Sequence, residues 1–258
     1  MTDADMLYER RGPTAVITFN RPQARNSMTF SMYEELHRRC EEVDADDGVR
    51  VLVLRGAGGR AFVAGTDISQ FREFGTPNDA IDYEKRVDRT VGRLELVGKP
   101  TIALVEGYAV GAGLALAAAC DLRVCTPEAQ FGMPIARTLG NCLSIANYAR
   151  LVALIGPART KELIFTARMA SAQEALEAGL ATEVVPGAEI EDRVAELSEL
   201  LARHAPITLK ATKEAIRRIR EAGLPSGEDL ILEAYGSDDF REGVTSFLEK
   251  RKPVWTGS

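Results

Sequence analysis

The chain has 258 residues, 45% of them apolar and 27% charged, the balance of an ordinary folded chain, which sets disordered and fibrous classes aside. Its 38 acidic against 32 basic side chains leave a formal charge of −6, so a binder that neutralises nucleic-acid phosphates over a broad face is not expected. His37 and His204 are the two histidines, too few for a multi-histidine metal site within one chain. Cysteines 40, 120, 125 and 142 form no C-x-x-C pair, which argues for a reducing cytoplasm over a zinc knuckle or a secreted scaffold. The acidic start, Met-Thr-Asp-Ala-Asp, lacks the basic and apolar segments of a signal peptide. The longest apolar run, Ala109 to Cys120, is too short to span a bilayer, so a soluble cytoplasmic protein with no membrane contact is expected.

In chain order, strands are predicted at 15–19, 51–54, 101–105 and 122–125, each short, apolar or β-branched and bounded by glycine, proline or charge. A helix is predicted behind Ser31 as its cap, with Glu34 at the third position and Met32, Leu36, Cys40 and Val43 repeating down one side. A second is predicted from about Asp79 to Leu96, with Val87, Val91 and Leu94 inward, stopped by Gly98-Lys-Pro100. Strands alternating with helices predict an α/β core. Beyond about Glu189 only amphipathic helices are predicted, near 190–203, 207–222, 227–235 and 238–250. The division is therefore residues 1–190 as the α/β core and 191–258 as a helical region suited to oligomerisation.

Two glycine-bearing turns carry the chemistry. The strand at 101–105 runs through Gly107, Gly111 and Gly113 into a helix of small apolar residues, leaving the first helical amides bare and at the positive end of the dipole. Residues 58–69 follow the strand ending at Leu54 and offer a second exposed amide at Gly65 or Thr66. Two amides aimed at one carbonyl oxygen make an oxyanion hole. Glycines after a strand also serve turn geometry alone. The spacing of Gly107, Gly111 and Gly113 does not match G-x-G-x-x-G, and no G-x-x-x-x-G-K-[ST] is present.

These residues resemble the enoyl-CoA hydratase/isomerase family, the crotonase superfamily, over nearly the whole chain. Asn20-Arg-Pro22 with Asn26-Ser-Met resembles N-R-P…N-A-L, and Ala61-Phe-Val-Ala-Gly-Thr-Asp-Ile68 resembles A-F-x-A-G-x-D-[IL]. Gly107 to Gly113 followed by Cys120-Asp121-Leu resembles G-x-A-x-G-G-G…C-D-[IL], and 129–134 and 242–253 match two further blocks. The resemblance implies a spiral of ββα units with a helical C-terminal region, assembling as a homotrimer or a dimer of trimers. It also implies a coenzyme A thioester as substrate, with coenzyme A carried by the substrate and no separate cofactor or metal. The two oxyanion donors then fall on the amides of Thr66 and Ala112. Arg25 falls where some members bind a phosphate, and the backbone at Ala64, Asp67 and Ile68 would flank adenine and pantetheine. Phe247 and Lys250 would reach the ligand of a neighbouring subunit. Asp121 reads as structural, a carboxylate that secures backbone amides.

One departure bears on the reaction. The family's hydratases use two glutamates, one to activate water and one to deliver a proton, and the matching positions here hold Ala115 and Ile135. Cys142 is a replacement candidate, as a thiol at a helix N-terminus whose pKa would be lowered, or else it is inert packing. Asp88 is a second, or else a solvated carboxylate between Arg86 and Arg89. Glu106, Tyr83 and Arg137 are weaker donors. The expected activity is that of an acyl-CoA or enoyl-CoA enzyme stabilising an enolate or tetrahedral oxyanion. A decarboxylase, thioester hydrolase or carbon–carbon lyase is the alternative, and a non-catalytic acyl-CoA-binding protein the other.

Overall fold

The computed structural model describes residues 4–73, 77–224 and 227–257. Strands β1 (Met6–Arg11), β2 (Thr14–Phe19) and β3 (Val51–Gly56) flank helix α1 (Phe30–Ala45). Then follow β4 (Ala61–Ala64), α2 (Pro77–Glu95), β5 (Thr101–Val105), β6 (Tyr108–Val110) and α3 (Ala112–Ala119). Next come β7 (Leu122–Cys125), β8 (Gln130–Gly132), the short α4 (Ile135–Thr138), α5 (Ile145–Phe165), β9 (Met169–Ser171), α6 (Ala172–Glu177) and β10 (Glu183–Val184). The chain closes with α7 (Ile190–Arg203), α8 (Pro206–Glu221), α9 (Glu228–Gly236) and α10 (Asp238–Leu248).

Two sheets result, one in the order β1-β2-β3-β5-β7-β10 and the other β4-β6-β8-β9. From β3 to β8 the strands alternate, each odd one joining the first sheet and the next joining the second, after which β9 adds to the second sheet and β10 to the first. This pairing is the expected spiral of ββα units. Within the first sheet the side-chain period of two separates two cores. Leu52, Leu54, Ala103 and Val105 face the main core with α1, α2 and α3. Val51, Val53, Ile102, Leu104 and Val124 face the opposite side, where Ile190, Val194 and Leu197 of α7 cover them. A strand buried on both faces has no polar side, which is why β5 reads as an unbroken apolar run.

The four strands predicted from sequence are β2, β3, β5 and β7, and the four terminal helices are α7 to α10. The short strands β4, β6, β8, β9 and β10 were not anticipated, because runs of two to four residues carry too little pattern to separate from turns. The cap of α1 is Thr29 rather than Ser31; the Thr29 hydroxyl accepts from the Met32 amide at 3.3 Å. The inward stripe of α1, Met32, Leu36, Cys40 and Val43, is buried as expected, together with Tyr33. Helix α5 is broken at Gly156 (φ 75°), with Pro157 next. Ile231, Tyr235, Phe240 and Val244 of α9 and α10 are buried in the main core, while α8 buries no residue. No helix among the described residues is long and apolar enough to cross a membrane.

Candidate active site

Strands β4 and β6 lie side by side and parallel, with Ala64 opposite Val110. Both chains therefore leave the second sheet at the same end. Each then turns on a left-handed glycine, Gly65 (φ 92°) and Gly111 (φ 57°), and a Cβ on Gly111 would sit 3.5 Å from Gly65 Cα. A β-carbon would strain this backbone, so the residue type follows from the turn. The next residues are Thr66 and Ala112.

The Thr66 amide is turned toward that junction by its partner on the other side. Met28 pairs with Thr66 as an isolated parallel bridge, through Met28 N–H to Gly65 O at 2.9 Å and Asp67 N–H to Met28 O at 2.8 Å. In a parallel bridge the paired residue's own N–H points the opposite way. Ala112 is the first residue of α3, whose amide has no partner within the helix. Among the described residues neither amide donates to a protein acceptor. The Thr66 hydroxyl is meanwhile locked 2.7 Å from both Tyr33 and Tyr83 hydroxyls, which pins the backbone it belongs to. Burial pushes both phenols well above their ordinary pKa, so they serve as neutral hydrogen-bonding groups.

A cavity of about 190 Å³ opens in front of these two residues. Val87, Val110, Met133, Leu139 and Leu143 give it an apolar wall, and Phe247 borders it from α10 of the same chain. Ala115 and Ile135 both face it. Both positions therefore present hydrocarbon to the cavity.

Sequence candidates are distributed unevenly around this cavity. Thr66, Ala112, Ala64, Ile68, Tyr83 and Phe247 line it. Cys142 does not, and the expected lowering of its pKa is reversed: burial pushes the thiol up to about 12. The cap of α5 is Ser144, so the thiol lies outside the first turn, and its Sγ approaches Leu230 O at 3.5 Å. Asp88 also stands off the cavity. Its Oδ1 accepts from Ser144 Oγ at 2.6 Å and Asn147 Nδ2 at 3.1 Å, so it secures the start of α5, and burial raises its pKa.

Asp67 accepts from Arg21 at 3.0 Å and Ser69 Oγ at 2.7 Å. Burial opposes its charge, but these bonds prevail and hold its pKa low. Its amide is spent on Met28 O, which removes that donor from any ligand. Arg25 is exposed, with its guanidinium 5.6 Å from the Tyr108 ring, and Lys250 is exposed behind α10. Phe247 therefore meets its own chain's cavity, whereas Lys250 does not border it. Glu106 faces Arg55 at 3.7 Å, Arg137 is exposed, and neither borders the cavity. Asp121 accepts from the Thr101 amide at 2.7 Å and from Lys213 at 2.6 Å, the structural role expected of it.

Sequence reasoning missed Glu84 and Tyr235. Glu84 lies on α2 and borders the cavity, and Tyr235 of α9 donates its hydroxyl to the carboxylate. Asn141 Nδ2 donates to Tyr235 Oη at 3.0 Å. Burial raises the Glu84 pKa to about 7 against the bonds from Tyr235 and the Ser144 main chain. The stripe Ala80, Tyr83, Glu84, Val87 repeats at helical spacing, so an acid in an apolar stripe was the available signal. Among the described residues, no three or more His, Cys, Asp or Glu side chains are grouped to hold a metal ion.

A two-sheet ββα spiral with a pocket at paired strand ends defines a class of α/β enzymes, and sequence comparison narrows it. The chain belongs to the enoyl-CoA hydratase/isomerase family, whose profile matches residues 9–258. The short-chain-enoyl-CoA hydratase of Clostridium acetobutylicum is 34% identical over 252 residues, covering 96% of each chain. A methylmalonyl-CoA decarboxylase structure, in complex with 2-nitronate-propionyl-CoA, superposes with a TM-score of 0.91 at 27% identity, covering 99% of each chain. An enoyl-CoA hydratase/isomerase structure from Pseudoalteromonas atlantica superposes with a TM-score of 0.85 at 28% identity, over 98% of this chain and 100% of that one.

Proposed function

We propose that this enzyme binds an acyl- or enoyl-CoA thioester and takes its carbonyl oxygen between the amides of Thr66 and Ala112, stabilising an enolate or tetrahedral oxyanion. The carrying observation is that both amides follow the ends of adjacent parallel strands, border one cavity and donate to no protein acceptor among the described residues. Donors already aimed at the developing charge need no reorganisation, and each is worth about 2.7–4 kcal/mol in such sites. Coenzyme A arrives as part of the substrate, with the apolar wall around Met133 and Leu139 receiving the acyl group and no metal or separate cofactor assigned a role. Ala64 and Ile68 border the thioester end, and the exposed Arg25 is tied to that loop through its carbonyl, which accepts from the Ala64 amide at 3.1 Å.

Water addition by two carboxylates is not available at Ala115 and Ile135, since neither side chain titrates. Decarboxylation of a carboxyacyl-CoA is the second reading, favoured by the closer superposition on the methylmalonyl-CoA decarboxylase than on the Pseudoalteromonas hydratase/isomerase, 0.91 against 0.85. There the carbon–carbon bond breaks, carbon dioxide leaves, and the electron pair moves to the thioester oxygen held by the amides. We also propose assembly as a trimer or a dimer of trimers, supported by the exposed Ile207, Ile216 and Ile219 on α8. A cytoplasmic setting is supported by four unpaired cysteines.

Incubation in heavy water with enoyl-, malonyl-, methylmalonyl- and 3-hydroxyacyl-CoA, followed by mass spectrometry, separates these chemistries. Turnover of at least one thioester is expected, as water addition, carbon dioxide loss, hydrolysis or deuterium uptake at the α carbon. Tight binding without any product would instead mean a non-catalytic acyl-CoA-binding protein.

A further inference from the structure

An enolate held by two amides still has to gain or lose a proton at its α carbon. Neither Ala115 nor Ile135 can supply one. Among the described residues, Glu84 is the only carboxylate bordering the cavity, and it is buried in the apolar stripe of α2. Burying an acid with no cationic partner is costly, and such groups cluster at functional sites. Among the described residues no lysine, arginine or histidine pairs with it; the groups that face it are Tyr235 from α9, Tyr33 from α1, Tyr83 and Asp88 from α2 itself, and Cys142 and Tyr148 from the segment entering α5 and from α5.

Its orientation is also fixed. Asn141 Nδ2 donates to the Tyr235 oxygen, which leaves the phenolic hydrogen to point at the Glu84 carboxylate. One carboxylate oxygen is thereby occupied.

We propose that Glu84 exchanges a proton with the α carbon of the bound thioester, and that Tyr235 is the residue that positions it. In the forward step a Glu84 oxygen takes the α-proton. The C–H electron pair becomes the Cα=C bond, and the carbonyl π pair moves onto the oxygen between the Thr66 and Ala112 amides. In reverse, the Glu84 O–H breaks and the enolate pair forms the new C–H bond, which also quenches an enolate left by loss of carbon dioxide. Both protonation states of Glu84 are accessible near neutrality, because burial brings its pKa to about 7. The proposal rests on the thioester reading above.

Propionyl-CoA in heavy water tests it, with α-deuterium uptake followed by mass spectrometry and affinity by calorimetry. The native enzyme is expected to bind and exchange, at a rate rising with pH through a midpoint near 7. Glu84→Gln should bind with similar affinity and exchange more slowly by a factor of about 100 at least. Tyr235→Phe removes a bond that favours and aims the carboxylate, so it should slow exchange less than Glu84→Gln does and move the midpoint to higher pH. Equal exchange by Glu84→Gln, or binding without exchange by the native enzyme, overturns the role of Glu84 and leaves the thioester reading standing. An unmoved midpoint in Tyr235→Phe overturns the role of Tyr235. Failure of the native enzyme to bind overturns the thioester reading and this proposal with it.

Discussion

Glu84 has a consequence for stability that does not depend on substrate. In the unfolded chain it ionises near its ordinary value of 4.5, while in the folded chain burial holds the proton until about 7. A folded pKa above the unfolded one contributes stability that is complete below about 4.5 and is lost as pH rises through about 7. The loss is on the order of 3 kcal/mol if no other group compensates. Denaturant titration at pH 5 and pH 8 should therefore show Glu84→Gln gaining on the native protein at the higher pH. Parallel pH dependence in the two proteins would place the ionisation elsewhere. At this scale the two turns at Gly65 and Gly111 were legible, because glycines after strands mark where the backbone takes a positive φ. Cys142 and Asp88 were not: nucleophilicity and charge were read from residue type, whereas burial of the thiol and the bonds of Asp88 to Ser144 and Asn147 are tertiary facts.

The position of α3 is set by a close approach rather than by its own propensity. A Cβ on Gly113 would lie 1.9 Å from Val63 O, a backbone atom of β4 that has no rotamer by which to yield. Gly113→Ala must push α3 away from β4, at about 1–3 kcal/mol for overpacking, and the Ala112 amide moves with it. Thermal melting and turnover should fall together, and an unchanged melting temperature with full activity would show that the contact is not needed. Long elements were legible from their periodicity: the stripe of α1 and the helices from α7 to α10 lie close to where spacing put them. Three-residue strands such as β6 and β8 were not, since they are held by pairing with distant segments and carry little local pattern.

In the whole molecule, the cavity forms where segments 25–28, 64–66 and 110–112 are brought to one end of the second sheet, and Phe247 of α10 borders it from the same chain. The spiral arrangement was legible only through family blocks, since no local pattern tells which strand joins which sheet. Convergence of the Thr66 and Ala112 amides on one oxygen is the claim on which the chemistry depends. Isotope-edited infrared spectroscopy of propionyl-CoA labelled with carbon-13 at the carbonyl reads it directly. Ala112→Pro is the control, because proline at the first helical position removes the N–H while suiting helical geometry. The bound carbonyl band should move to lower frequency than in water, and much of that shift should be lost in Ala112→Pro with its circular dichroism intact. A bound band at the aqueous frequency, indifferent to the substitution, would contradict the two-amide site.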